Sequence, residues 1–199
     1  MEKRKQLISR LAGPLVLAIV AGLLVVLIPG SREQEGQPGG DFQKYDRKEF
    51  RVHRVIDGDT IDLEVADGAK AQTRVRLWGI DTPETKAPGK PVAHFGPQAT
   101  AFTKKMVSGR WVSLELEAEN TRGKFGRLLA FVYTQDNKLL NEELLRSGHA
   151  YADVRWQHRF YFRFQEIEAR ARKNKFGLWE QVRFEDMPRH VRQRLGAKQ

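Results

Sequence analysis

The sequence predicts an α+β protein in which a small barrel of five strands carries three helices behind a single N-terminal transmembrane helix. Three observations predict it. Between residues 50 and 133, five short stretches alternate apolar and polar residues and are separated by turn residues, the pattern of a small barrel. A helical repeat falls between the third and fourth stretches. Ahead of them lies an uncharged run of Leu, Val, Ala and Ile over residues 11–28.

Residues 1–10 carry Lys3, Arg4, Lys5 and Arg10, a basic head expected to stay cytoplasmic and to send the following chain across the membrane. Residues 11–29 read as the signal anchor. Their apolar run exceeds the ~7–15 residues of a signal-peptide core and reaches the lower limit, ~17 residues, of a spanning helix. Pro29-Gly30-Ser31 offers no small-residue cleavage site, so an uncleaved anchor is expected. A cleaved signal peptide, releasing a secreted protein, is the alternative. Both place the remainder outside the cytoplasm, periplasmic or extracellular. Residues 30–48, with Gly36, Pro38, Gly39 and Gly40, read as a flexible linker.

The folded domain is expected over 49–182, with strands at 50–56, 60–65, 73–80, 111–116 and 128–133. A helix over 97–107 aligns Ala99, Phe102, Thr103 and Met106 on one face. A second opens at Asn141, a good N-cap residue, with Leu140 and Leu145 spaced as a hydrophobic staple, and stops at Gly148. A third, over 157–175, aligns Phe160, Phe164, Ile167 and Ala171. These stripes are core. Five strands with a helix after the third is the order of the OB-fold, a Greek-key barrel. Residues 183–199, with Arg183, Arg189, Arg192, Arg194 and Lys198, read as a basic tail that either extends a binding surface or forms a solvated helix.

Lys and Arg number 35 against 25 Asp and Glu, a formal charge of +10. That balance favours polyanionic partners, nucleic acid or acidic lipid. The absence of cysteine excludes disulfides, thiolate metal sites and a Cys nucleophile. The histidines at 53, 94, 149, 158 and 190 show no zinc-site spacing.

Two segments combine carboxylates with turn residues: Asp57-Gly58-Asp59-Thr60 and Asp81-Thr82-Pro83-Glu84. Either alone reads as an ordinary turn. Together they offer the oxygen donors a hard cation such as calcium requires. Strand alternation sets Arg74, Arg76 and Trp78 on one face, and Arg127 follows Lys124-Phe125-Gly126 at the entry to the fifth strand. Arginine suits a phosphoryl centre because its planar fork stays charged and bonds two oxygens at once.

The string Arg76-Leu77-Trp78-Gly79-Ile80-Asp81-Thr82-Pro83-Glu84-Thr85 resembles the signature of the staphylococcal nuclease, or thermonuclease, family. Val55-Ile56-Asp57-Gly58-Asp59-Thr60, the helix from Gly96-Pro97, Lys124-Phe125-Gly126-Arg127-Leu128-Leu129-Ala130, Glu168-Ala169 and Gly177-Leu178-Trp179 resemble further family segments in the same order. The resemblance implies an OB-fold enzyme hydrolysing DNA or RNA without sequence specificity and leaving 3′-phosphate ends, with Ca2+ as cofactor. It implies Asp59, Asp81 and the Thr82 carbonyl as calcium ligands, Glu84 as general base, and Arg76 and Arg127 on the scissile phosphate. Lys124 matches a position near a terminal phosphate and Trp156 one that contacts the nucleotide; Val154 and Gly123 depart from the family's tyrosine and aspartate. No obligate protein partner is implied.

The set the resemblance implies is also chemically coherent: phosphodiester hydrolysis needs an activated water, alignment and neutralised charge, and one calcium, one free carboxylate and two arginines would supply them. The competing readings are a non-catalytic nucleic-acid-binding barrel tethered to the membrane and a structural envelope protein resting on acidic lipid. Retention of Asp59, Arg76, Asp81, Glu84 and Arg127 together favours the enzyme.

Overall fold

The computed structural model describes residues 38–84 and 94–196. The expected basic N-terminus and signal anchor, residues 1–29, lie outside the described residues. No helix among the described residues is long and apolar enough to cross a membrane.

In chain order the elements are α1 (Pro38–Tyr45), β1 (Glu49–Asp57), β2 (Thr60–Leu63), β3 (Thr73–Leu77), β4 (Ile80–Asp81), α2 (Gly96–Val107), β5 (Trp111–Glu115), β6 (Leu128–Thr134), α3 (Leu140–Arg146), β7 (Tyr151–Ala152), α4 (Tyr161–Lys173) and α5 (Arg189–Gly196). Two 3₁₀ turns, Gly177–Glu180 and Phe184–Asp186, precede α5. The barrel closes in the order β1-β2-β3-β6-β5, with β3 and β6 parallel and the remaining pairs antiparallel. This is the expected five-stranded OB-like barrel. Its interior holds Val52, Ile61, Leu63, Val75, Leu77, Val112, Leu114 and Leu128, the inward members of each alternation. Phe131 extends the core toward α4, meeting Phe160 edge-on at 4.8 Å.

Register positions the chemistry. Thr60 pairs with Arg76 across β2 and β3, and Arg76 with Leu129 across β3 and β6. The Asp57–Thr60 turn, Arg76 and the residues before β6 therefore meet at one barrel end. The chain can make that turn only with glycine at 58, where a Cβ would lie 2.8 Å from Thr82 Oγ1 and 2.9 Å from Ala99 Cβ. Thr103 of α2 clamps it by donating to the Gly58 carbonyl at 2.6 Å.

Four expectations need correction. The third strand does not run unbroken over 73–80: Gly79, at φ +78°, ends it and lets β4 leave the barrel to pair with β7. Alternation alone carried no sign of this break. The linker over 30–48 contains α1, whose Tyr45 is fully buried and shares a 2.9 Å hydrogen bond with Thr73. Its glycines start a short helix that is held by tertiary packing rather than propensity. Asn141 does not cap α3. It lies inside the helix, accepting from Val132 N at 3.0 Å and donating to the Trp78 carbonyl at 2.8 Å, so it ties α3 to β6 and to the end of β3. The residues from 183 are no free tail: α5 buries Val191 against Tyr151, Leu178 and Trp179. Five α-helices rather than three thus occur among the described residues.

Candidate active site

Asp59 is almost fully buried, at 1% exposure, and has a partner on every side. Its Oδ2 accepts from Thr82 N at 2.9 Å and Thr82 Oγ1 at 3.1 Å, and its Oδ1 accepts from Thr60 Oγ1 at 3.0 Å and from Arg76 Nη1. Arg76 spends Nη2 on Asp81 Oδ1 at 2.6 Å and on the Ile80 carbonyl at 3.1 Å. One guanidinium thus bridges two carboxylates from separate loops. Burial works against the Arg76 charge, but Asp59 and Asp81 outweigh it and hold its pKa above the ordinary value.

Three carboxylates around this nest, Asp57, Asp81 and Glu84, sit above their usual range. Burial, then the negative charge of Asp59, pushes Asp57 up to about 7. Burial also raises Asp81 against the pull of Arg76. Glu84 is raised by desolvation and by Asp59. Arg127 shifts the other way, lowered by burial and by its like-charged neighbour Arg76. Crowded carboxylates favour a cation, and two arginines within reach of one another favour an anion.

Both demands open onto one cleft of about 460 Å³, lined by Arg76, Asp81, Glu84, Lys124, Arg127 and Trp156 among others. Asp59 and Thr82 stand behind it, Asp59 joined to Arg76 and Thr82 to Asp59 by the hydrogen bonds above. The structure therefore gathers all eight residues proposed from sequence at one barrel end. Lys124 and Trp156 are exposed at the cleft, with Trp156 at 60%. Among the described residues Asp59 and Asp81 offer only oxygen donors, and no group of three His, Cys, Asp or Glu forms a cage. A hard cation held by two carboxylates and a backbone carbonyl, with water and substrate completing its shell, fits that donor set.

Several cleft residues carried no sequence signal. Asp153 binds Arg155 through both carboxylate oxygens at 2.8 and 2.7 Å, and Arg155 Nη2 reaches 3.9 Å from Asp81 Oδ2. His190, from α5, brings Nε2 to 3.7 Å from the same oxygen. Both come from irregular or distant chain that the β4–β7 pair and the packing of α5 bring alongside Asp81. Phe125, 76% exposed, stands under the cations of Lys124 and Arg127 at 5.7 and 6.0 Å. Its position between Lys124 and Arg127 was the one available cue.

Paired arginines facing clustered carboxylates in a basic cleft belong to enzymes that hydrolyse phosphodiesters, and the fold is the barrel on which nucleases of one family are built. The chain belongs to that family: residues 74–181 match the description "Staphylococcal nuclease homologue". It is 31% identical over 165 residues to the thermonuclease of Staphylococcus hyicus, covering 82% of this chain and 95% of that protein. It is 36% identical over 173 residues to the thermonuclease of Staphylococcus intermedius, covering 84% and 96%. It is also 34% identical over 151 residues to endonuclease YncB of Bacillus subtilis, covering 74% and 70%. The protein is a phosphodiester-hydrolysing nuclease.

Proposed function

We propose that the chain is a calcium-dependent, sugar-unspecific endonuclease of DNA and RNA that leaves 3′-phosphate ends and works outside the cytoplasm on a membrane tether. The single observation carrying this reading is the bridge from Arg76 to Asp59 and Asp81 at the edge of a cleft that also holds Glu84 and Arg127. In it, groups suited to a cation and groups suited to a phosphate are adjacent but paired with each other.

Glu84 is the proton acceptor. Its raised pKa brings it closer to the pH at which a carboxylate takes a proton from an attacking water, and it faces the cleft with no hydrogen-bonded partner recorded among the described residues. Arg76 and Arg127 donate N–H groups to the non-bridging phosphate oxygens and offset the charge that accumulates there in the transition state. Asp59, Asp81 and the Thr82 carbonyl would hold the calcium, which would supply charge neutralisation and alignment of the reacting groups. Lys124 and Trp156 contact the substrate beyond the reacting phosphate, through charge and base stacking.

The uncharged apolar run over residues 11–28 behind a basic head, read as an uncleaved anchor, supports a location outside the cytoplasm, where calcium is plentiful and the cell's own genome is absent. Two experiments test the proposal. Digests of denatured DNA and of RNA by the full chain are compared in calcium and in EDTA, and product ends are scored for 3′-phosphate by whether extension requires prior phosphatase. Proteolysis of intact and permeabilised cells reads the topology. Products with 3′-hydroxyl ends, or a domain open to protease only from the cytoplasmic face, would refute the corresponding part.

A further inference from the structure

A second groove of about 340 Å³ adjoins the active-site cleft and shares two of its walls, Phe125 and Arg127. Its floor is the outer face of β1, β2 and β3, which presents Arg54, Asp62 and Arg74. Its rim is the turn that carries Lys70. Four cations line it against two carboxylates, Asp62 and Asp67.

Those carboxylates are already committed. Asp67 is held by Arg122 at 2.6 and 2.9 Å. Asp62, with a side chain only 3% exposed, accepts from Arg54 Nε at 2.8 Å and from Arg74 Nε and Nη2 at 2.8 and 3.1 Å. One carboxylate cannot neutralise two guanidinium groups. It can orient them, and it leaves both Nη groups of Arg54 and Nη1 of Arg74 with donors to spare among the described residues. Both side chains stay about half exposed, at 57% and 47%. Pre-oriented arginine forks lose less conformational freedom on capturing an anion than free ones do.

Between this groove and the reacting centre stands Phe125, its ring exposed and flanked by Lys124 and Arg127. A basic track interrupted by an exposed ring is the arrangement that binds an unpaired strand, phosphates on the cations and a base on the aromatic face. We infer that this second groove is a nucleotide-binding subsite: the single polynucleotide strand flanking the reacting phosphate passes over Phe125 and places its next phosphates on Arg54, Arg74 and Lys70. The inference rests on the reading of the cleft as the place of hydrolysis. It implies that long unpaired strands are preferred to dinucleotides, and that a duplex, whose bases are not free to stack on Phe125, uses the groove poorly.

The test compares a dinucleotide with a single-stranded oligonucleotide of about 12 residues, a length within the range a barrel of this kind spans. The full chain carries either Arg54→Gln with Lys70→Gln, or Lys70→Glu alone. Arg74 keeps both oxygens of Asp62 in each variant, and Lys70 is exposed, so folding is retained and dinucleotide turnover reports it. For the long strand, KM in the double variant rises roughly tenfold, and the slope of log affinity on log salt falls by roughly 1.4, about 0.7 per lost phosphate contact. Dinucleotide kinetics stay unchanged. Equal effects on both lengths, or none on either, would overturn the subsite. Anisotropy of a labelled strand is followed in parallel. If the wild type cuts neither substrate, the assignment of the cleft fails, while the anisotropy still shows whether Arg54 and Lys70 bind the strand.

Discussion

Arg76 binds Asp81 through a 2.6 Å hydrogen bond from Nη2 to Oδ1, and with it the nearly inaccessible Asp59. Removing the guanidinium leaves two buried carboxylates facing each other without a counter-charge, which costs about 3–5 kcal/mol when one partner of a buried pair is lost. Arg76→Gln should therefore lower the melting temperature markedly in EDTA. Calcium should restore much of it, because the ion then replaces the missing cation. A variant as stable as the wild type in EDTA would contradict this.

Arg127 provides the contrast. It stands over Phe125 and has no hydrogen-bonded carboxylate partner among the described residues. Arg127→Ala should leave stability within about 0.5 kcal/mol of the wild type. Its kcat should fall by a factor equivalent to about 3–4 kcal/mol, the scale of a lost transition-state donor. Steady-state kinetics beside a denaturant curve separate the two effects.

The ends of the domain carry stability that the sequence hid. Glu168 is 1% exposed, receives Arg194 at 2.6 Å on both oxygens, and also accepts from Ala152 N of β7 at 3.0 Å. Arg194→Met strands that charge behind the strand that pairs with Asp81. Urea unfolding should show a loss of about 3–5 kcal/mol. At the other end, Tyr45→Ala empties a buried ring site and should cost a similar amount, about 3–5 kcal/mol. A chain begun at residue 49 should lose more, because it also removes the Asp41 carboxylate that Arg122 grips at 2.7 and 2.8 Å.

Stability should fall in two stages on the acid side. Burial lowers the pKa of His149, stacked on Phe102 at 4.5 Å, and of His158, so the fold favours the neutral form of both. Their contribution is complete above the unfolded value of about 6.5 and is lost as pH falls through the lower folded values. Asp62 and Asp67 behave alike at lower pH. Burial opposes their ionisation, but the arginines beside them prevail and hold them below the ordinary range. Their contribution is complete above about 3.9 and disappears as the folded values are crossed. His149→Phe should flatten the first stage and leave the second; urea midpoints across pH measure both.

The barrel was legible because each of its strands buries one face, and burial of one face writes an alternation into the sequence. That the eight proposed site residues meet at one barrel end was legible because turn chemistry and the family signature mark the same short segments. What stayed hidden depends on distant packing. Nothing in the run from Thr73 to Ile80 shows that Gly79 leaves the barrel with a ring of His158 against it. Nothing in a stretch rich in glycine shows that Tyr45 enters the core, and a basic C-terminus conceals that Val191 and Arg194 have buried partners. His190 and Arg155 reach Asp81 only because α5 and β7 dock there.

In the mechanism proposed above, Glu84 takes a proton in a calcium-assisted cleavage that Arg76 and Arg127 support. The most direct test is the initial rate of denatured-DNA digestion by the full chain and by Glu84→Gln, across calcium concentrations and in EDTA. EDTA should abolish turnover, and Glu84→Gln should lower kcat about 10²–10⁴-fold with little change in the calcium needed for half-maximal rate. Cleavage indifferent to EDTA, or a Glu84→Gln variant as fast as the wild type, would contradict it.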